Sequence, residues 1–599
     1  MAPALHALKP GAEPLDAGAL RSRPPRSRAS LLRLAPVLTV AAFALPIACG
    51  LVGTLLPVFG YLPALGGDQL GLDAWRALRH MPGFATSLQS TLLTGWAATV
   101  LSVLLALAVA GALHQRAGHR RLGALLAPLL AMPHAALAIG MAFLLLPSGW
   151  LVRWISPWWT GWTVPPDVAT VGHPSGWPLV LVLVVKEVPF LLLMVASALQ
   201  QVRAPAMLAA ARAMGYGPVQ AWLKVVLPQI YPQIRLPVYA VLAFSLSVVD
   251  VAMVLGPDNP PTLAVQAVRW FGAPDLRMVF PAAAAATLLL GVVVASIGVW
   301  RLAEIALRPL LLRWLERGAR SGALVPLARA GAGIGALLAL LALLALLGLL
   351  LWSVAAPWRF PDALPPALTL QTWQRQAAQL ARPVWNTLAI GLASTLLALA
   401  LVLACLENEV RAARPHSAGR STHRTGPARS LWLLYVPLLV PQVAFLFGLQ
   451  VLLVRFGLDG TVGAVVWAHL VFVLPYLFLA LADPWRAFDS RYARAAASLG
   501  ASPWRVFWRI KLPLLLAPLL GACAVAFAVS VAQYLPTLFA GAGRVATLTT
   551  EAVTLSSGAD RRVIGTWAVL QALLPLLAYA LASGVPRLLQ RQRQRRRKA

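Results

Sequence analysis

The chain has 599 residues, of which 59% are hydrophobic and 12% charged, with a formal net charge of +31. Soluble domains carry about 25% charged residues, so this composition excludes a disordered chain and argues against one large soluble enzyme. It fits a polytopic membrane protein whose few charges are mostly basic.

A basic stretch, residues 1–33, precedes the first apolar run. About 20 apolar residues cross the hydrocarbon as a helix. Runs of that kind begin near Leu34, Leu88, Leu122, Leu179, Leu236, Met278, Gly331, Val384, Leu431, Val462, Leu512 and Val563. They predict an all-α polytopic membrane protein with about twelve transmembrane helices, those from Val462 and Val563 being shortened by turn residues or charges. Cys49, Cys405 and Cys523 each lie inside an apolar run without a C-x-x-C spacing, which excludes a disulfide framework and a thiolate metal site.

Basic residues alternate in density from loop to loop, with a roughly threefold excess on the side of the N-terminal stretch. That pattern places both termini in the cytoplasm. The Arg residues spread over every loop of that side instead of gathering on one face with aromatics, which speaks against a nucleic-acid partner. The run from Arg591 to Lys598 reads as a juxtamembrane anchor to anionic lipid.

The chain repeats itself. Ser90-Thr-Leu-Leu-Thr-Gly95 matches Asn386-Thr-Leu-Ala-Ile-Gly391, and Pro133-His-Ala-Ala-Leu-Ala-Ile-Gly140 matches Pro441-Gln-Val-Ala-Phe-Leu-Phe-Gly448. Order and sidedness are kept, as in a parallel duplication about an axis along the membrane normal. The expected organisation is a basic tail (1–33), a first membrane domain (34–303), a cytoplasmic linker (304–329), a second membrane domain (330–583) and a basic tail (584–599), with six spans in each half.

Each half carries the same loop. One reads Ala209-Ala210-Ala211-Arg-Ala-Met-Gly215 and ends in Leu227-Pro228; the other reads Arg494-Ala495-Ala496-Ala-Ser498-Leu499-Gly500 and ends in Leu512-Pro513. Gly and Pro are thirteen residues apart in both. An Ala-rich helix should end at Gly215 or Gly500 in a left-handed cap. A second, amphipathic helix should start at Pro218 or Pro503, carry Trp222 or Trp504 with Phe507, and stop before Pro228 or Pro513. A short rigid helix of this kind suits a partner's groove.

This pattern resembles the EAA loop of permease subunits in binding-protein-dependent ABC importers: E-A-A, three residues, Gly, nine residues, I-x-L-P. The family's Glu is Ala209 in one copy and Arg494 in the other. The resemblance implies that Ala210, Ala211, Gly215, Pro218, Trp222, Leu227 and Pro228, with Ala495, Ala496, Gly500, Pro503, Trp504, Leu512 and Pro513, form two coupling loops. It implies two copies of a separate ATPase, which carry the ATP and Mg, and an external substrate-binding protein. No P-loop exists here, since none of the five Lys residues follows a glycine. This chain is therefore expected to bind no cofactor, to have no catalytic or metal site, and to sit in the inner membrane. The fused form resembles ferric-iron and thiamine permeases, and the stretch from Ser556 to Gln571 is similar to thiamine-type ones. A polyamine-type permease and an ion-coupled secondary transporter stay open.

Polar groups inside spans are expensive and often functional. Lys186 and Glu187 interrupt the run from Leu179. Asp250 aligns with Gln533 and Ser247 with Ser530; with Tyr534 these form a candidate translocation pathway, a packing role being the other reading. Trp150, Trp154, Trp158, Trp159, Trp162 and Trp177 fill an external insertion of the first half. Interfacial anchoring and contact with a binding protein both fit it.

Overall fold

A segment in hydrocarbon must satisfy its backbone N–H and C=O groups internally, and a helix does so within one segment. The computed structural model describes residues 29–114, 132–320, 325–412 and 432–598, and among them no strand forms beyond two isolated bridges. The helices used below are α1 (Ala29–Val58), α2 (Phe84–His114), α3 (His134–Leu145), α4 (Trp177–Gln200), α5 (Ala204–Ala213), α6 (Pro218–Ala221), α7 (Leu227–Ser247), α8 (Asp250–Leu255), α9 (Leu263–Phe271) and α10 (Val279–Glu316). The second half supplies α11 (Val325–Val354), α12 (Gln371–Ala412), α13 (Gln442–Arg455), α14 (Val462–Arg486), α15 (Ser490–Ser498), α16 (Pro503–Val506), α17 (Leu512–Leu514), α18 (Leu516–Val531), α19 (Leu535–Gly541), α20 (Leu548–Leu555) and α21 (Arg561–Lys598).

Among the described residues nine helices are long and apolar enough to cross a membrane, or ten when Pro503–Leu514 and Leu516–Val531 count as one bent span. This is fewer than the twelve expected. The run from Leu236 lies in α7, whose first turns carry Gln229, Gln233, Arg235 and three prolines. The run from Leu431 begins outside the described residues, and the helix that follows, α13, has 14 residues. The run from Leu122 begins outside the described residues, and its described part belongs to the span His134–Ile155, which is among the nine. The run from Val462 is not shortened: α14 extends over 25 residues.

Helix α10 has 38 residues, about 57 Å at 1.5 Å per residue, against a hydrocarbon thickness of about 30 Å. The expected boundary at 303/304 therefore falls inside one continuous helix, as 583/584 does inside α21.

The first helix of each half lies on the other half. Helix α1 packs along α13 and α12, and α11 packs along α3 and α2. Small residues allow the crossings. A Cβ on Gly53 would stand 2.8 Å from the Gly448 Cα, and the Thr54 hydroxyl accepts the Gly448 N–H at 3.1 Å. On the other side a Cβ on Gly140 would stand 2.7 Å from the Ala345 oxygen. Gly140 and Gly448 are the matched glycines of the duplicated Pro-to-Gly segment, so one backbone approach is used twice.

Candidate functional site

The two duplicated loops adopt one backbone path. Gly215 and Gly500 have φ of +83° and +78°, the left-handed conformation that glycine adopts without a Cβ penalty. Each closes a Schellman cap. In the first loop Gly215 donates to Arg212 at 2.9 Å and Tyr216 to Ala211 at 3.1 Å; in the second Gly500 donates to Ala497 and Ala501 to Ala496, both at 3.0 Å. Pro218 and Pro503 then open α6 and α16, preceded by Gly217 and Ser502; the Ser502 hydroxyl accepts the Arg505 N–H. Ala211 and Ala496 face inward, whereas Ala210, Ala495, Gly215, Gly500 and Pro503 are exposed.

The expected stop before the second proline does not occur. In both loops a five-residue π turn, Trp222–Val226 or Phe507–Lys511, carries the chain into Leu227-Pro228 or Leu512-Pro513 without leaving helical geometry. Its closing bond runs from the Leu227 N–H to the Trp222 oxygen, and from the Leu512 N–H to the Phe507 oxygen. A proline has no N–H and its ring collides with the carbonyl four residues back. The wider turn gives that ring room. The first loop then continues as one helix to Ser247. In the second half the helix breaks at Leu515 and bends by 76°, because Pro518 withholds the N–H that Leu514 would need.

The faces of the two loops differ. Trp222 is 2% exposed and lies against Gly111 of α2, where a Cβ would stand 2.8 Å from its ring. It therefore packs inward and is not part of an exposed amphipathic face. Lying seven residues after its glycine, it corresponds to Phe507 and not to Trp504, which is 68% exposed. Beside Trp504 stand Phe507 and Trp508, with ring centres 6.2 and 5.4 Å away. The first loop is held against the end of α10 and the residues just after it: Lys224 donates to the Trp314 carbonyl at 3.0 Å, and Lys224 and Arg320 both lie over the Tyr216 ring.

Five of the candidate pathway residues, Ser247, Asp250, Ser530, Gln533 and Tyr534, lie at or beside a second duplicated feature. The helices that follow the loops are interrupted, between Ser247 and Asp250 in the first half and between Val531 and Leu535 in the second. Asp250 opens α8, half-buried and without an ion pair among the described residues. Gln533 sits in the matching break, buried, its Oε1 without a partner among the described residues. Tyr534 joins the halves, its hydroxyl donating to the Met253 sulfur at 3.5 Å. Ser530 is already engaged: its hydroxyl lies 2.8 Å from His469 Nδ1 and accepts from Ser394 at 3.2 Å, while His469 Nε2 meets Thr537 at 2.8 Å. Ser247 bonds back to Ala243 within its own helix at 2.7 Å. Lys186 and Glu187 are both buried on α4. Lys186 donates to the Met132 carbonyl, and Glu187 makes no ion pair or hydrogen bond among the described residues.

A family profile described as "Binding-protein-dependent transport system inner membrane component" matches residues 417–598. The chain is 34% identical over 520 residues to the inner membrane ABC transporter permease protein YnjC of Escherichia coli K12, covering 86% of this chain and 90% of that protein. The chain belongs to the ABC transporter permeases. It also shares 31% identity over 193 residues with the molybdenum transport system permease protein ModB of Mycobacterium bovis, covering 30% of this chain and 70% of that one. With the putrescine transport system permease protein PotI of E. coli K12 it shares 29% over 150 residues, covering 24% of this chain and 52% of that one.

In this permease the Trp-rich insertion divides in two. Trp150 is buried and donates to the Ala363 carbonyl at 3.1 Å; Arg153 donates to the Arg359 and Asp362 carbonyls at 2.7 and 3.1 Å. These contacts fasten the insertion to the second half. Trp158 and Trp159 project almost fully exposed from it. Sequence reading passed over the acidic pair Glu407 and Glu409 at the end of α12, which meets Lys511 and Arg486 at the second loop. The available signal was two carboxylates closing an apolar run in a chain with only 19 acidic residues.

Proposed function

We propose that this permease passes a small solute from an external binding protein to the cytoplasm by alternating access, driven by two separate ATPases that dock on the loops around Gly215 and Gly500. The observation that carries this reading is the duplicated loop: Schellman cap, proline start and π turn recur at the same positions in both halves. Two rigid, partly exposed surfaces of one backbone geometry suit two copies of one partner. The excess of basic residues on the loop side supports cytoplasmic loops and cytoplasmic termini. The two permease domains are then 34–303 and 330–583, joined by 304–329 and flanked by basic tails, with the run from Arg591 to Lys598 meeting anionic lipid.

The solute is proposed from the helix breaks. Half-buried Asp250, at the first break, is a carboxylate without an ion pair among the described residues, and the Tyr534 ring, from the second break, lies beside Asp250's helix with its hydroxyl on Met253. Carboxylates and aromatic faces attract cations. A positively charged solute is the reading this favours; the name of one relative gives putrescine for that protein, and the name of another gives molybdenum. Thiamine rests on the likeness of the Ser556-to-Gln571 stretch and has no counterpart in the relatives' names.

Reconstitution in proteoliposomes with the ATPase and the binding protein tests the function. ATP-dependent uptake is the expected result. Uptake driven by an ion gradient without ATP would assign the chain to secondary transport instead.

A further inference from the structure

The two loops are fastened to their membrane helices by different chemistry. In the second half the Lys511 ammonium, on the π turn, meets the Glu407 carboxylate of α12 at 2.8 Å, with side chains only 7% and 14% exposed. Arg411 holds the other Glu407 oxygen at 3.0 Å. The same ammonium lies 4.0 Å from the Trp485 ring centre on α14. Two residues further along α12, Arg486 of α14 grips Glu409 through two bonds of 3.0 Å each. The duplication sets Gly111 opposite Glu407 and Val226 opposite Lys511, so the first half has no charges at these positions. There Trp222 fills the space against Gly111.

These contacts differ mechanically. Apolar packing is non-directional and falls off gently as surfaces slide. A buried ion pair resists separation, because parting it leaves two poorly solvated charges. A bidentate Arg–carboxylate pair adds orientation.

We propose that the Lys511–Glu407 pair, backed by Arg486–Glu409, is the link through which movement of the second loop is transmitted to α12 and α14. Lys511 and Glu407 are positioning residues: they touch neither ATP nor solute. The first loop transmits through the Trp222 contact and the Lys224 and Arg320 grip, so the two ATPases act on the membrane domain through unequal joints. This rests on the reading of the loops as ATPase docking sites, and the test separates the two.

The complex of full-length permease, ATPase and binding protein is compared as wild type, Lys511→Met, Glu407→Gln and the exchange K511E/E407K. Co-purification of the ATPase, ATP hydrolysis and solute uptake are read on each. With docking intact, Lys511→Met and Glu407→Gln should retain the ATPase and its hydrolysis while uptake per ATP falls at least tenfold. The exchanged pair should recover a substantial part of that ratio, which a role in packing alone would not restore. Glu407→Gln keeps the shape and a hydrogen-bond acceptor for Lys511, so it decides the matter if Lys511→Met fails to fold. Unchanged uptake per ATP in Glu407→Gln overturns the proposal. Failure of the wild-type chain to retain any ATPase overturns the docking reading and the proposal with it.

Discussion

The hydroxyl of Thr91 accepts the backbone N–H of Leu263 at 2.8 Å, and its duplicate, Thr387, accepts that of Leu548 at 3.0 Å. Each bond satisfies a first-turn N–H of a short helix, α9 or α20, that has no partner within its own helix. One span of each half thus caps the short helix beyond the break. Thr91→Val and Thr387→Val should each cost about 1 kcal/mol. Thr→Ser should cost less at both sites. Thermal unfolding in detergent, read against the wild type, checks the pair; a loss in one half only would show that the two caps are not equivalent.

The close crossing of α1 and α13 leaves no room for side chains. Gly448→Leu should overpack it by 1–3 kcal/mol or more, roughly the range for added methylenes in a packed core. Gly140→Leu should do the same to the crossing of α3 and α11. Disulfide trapping between cysteines introduced on α1 and α13 would report the first crossing, with trapping lost in Gly448→Leu.

Gly215→Ala and Gly500→Ala force a side chain into left-handed geometry, at about 1–2 kcal/mol each. The strain falls on the cap that sets the angle between α5 and α6, or α15 and α16. Each variant should weaken ATPase retention while the permease still inserts. Co-purification checks this, and undiminished retention in both variants would separate the loop geometry from docking.

Asp250→Asn removes the half-buried charge at the first break. Uptake should fall by at least tenfold with ATP hydrolysis retained, if the solute is a cation. Ser530→Ala should behave otherwise. Its hydroxyl is held by His469 and Ser394, so the change should lower thermal stability and leave uptake kinetics close to wild type.

The membrane class, the duplication and the loop geometry were legible because they depend on local signals. Apolar runs, the thirteen-residue Gly-to-Pro spacing and the left-handed glycine all act within one segment. What stayed hidden depends on contacts between distant segments. Trp222 reads as an exposed amphipathic residue, but its burial is decided by Gly111 on another helix. The partner of Lys511 is equally hidden, because Glu407 reaches it from over a hundred residues away. The continuation through Pro228 and Pro513 was missed because the pre-proline rule favours a stop, and a π turn evades that rule by widening the helix. Ser530 aligns with Ser247, yet one bonds to His469 and the other to its own helix. Sequence alignment of the two halves could not register that difference.

The central claim is that one chain presents two ATPase docking loops. Native mass spectrometry of the complex purified from membranes tests it most directly. The account predicts one permease chain with two ATPase subunits, reduced to one in Gly500→Pro, where proline cannot adopt the required positive φ. A wild-type complex holding a single ATPase, or none, would contradict it.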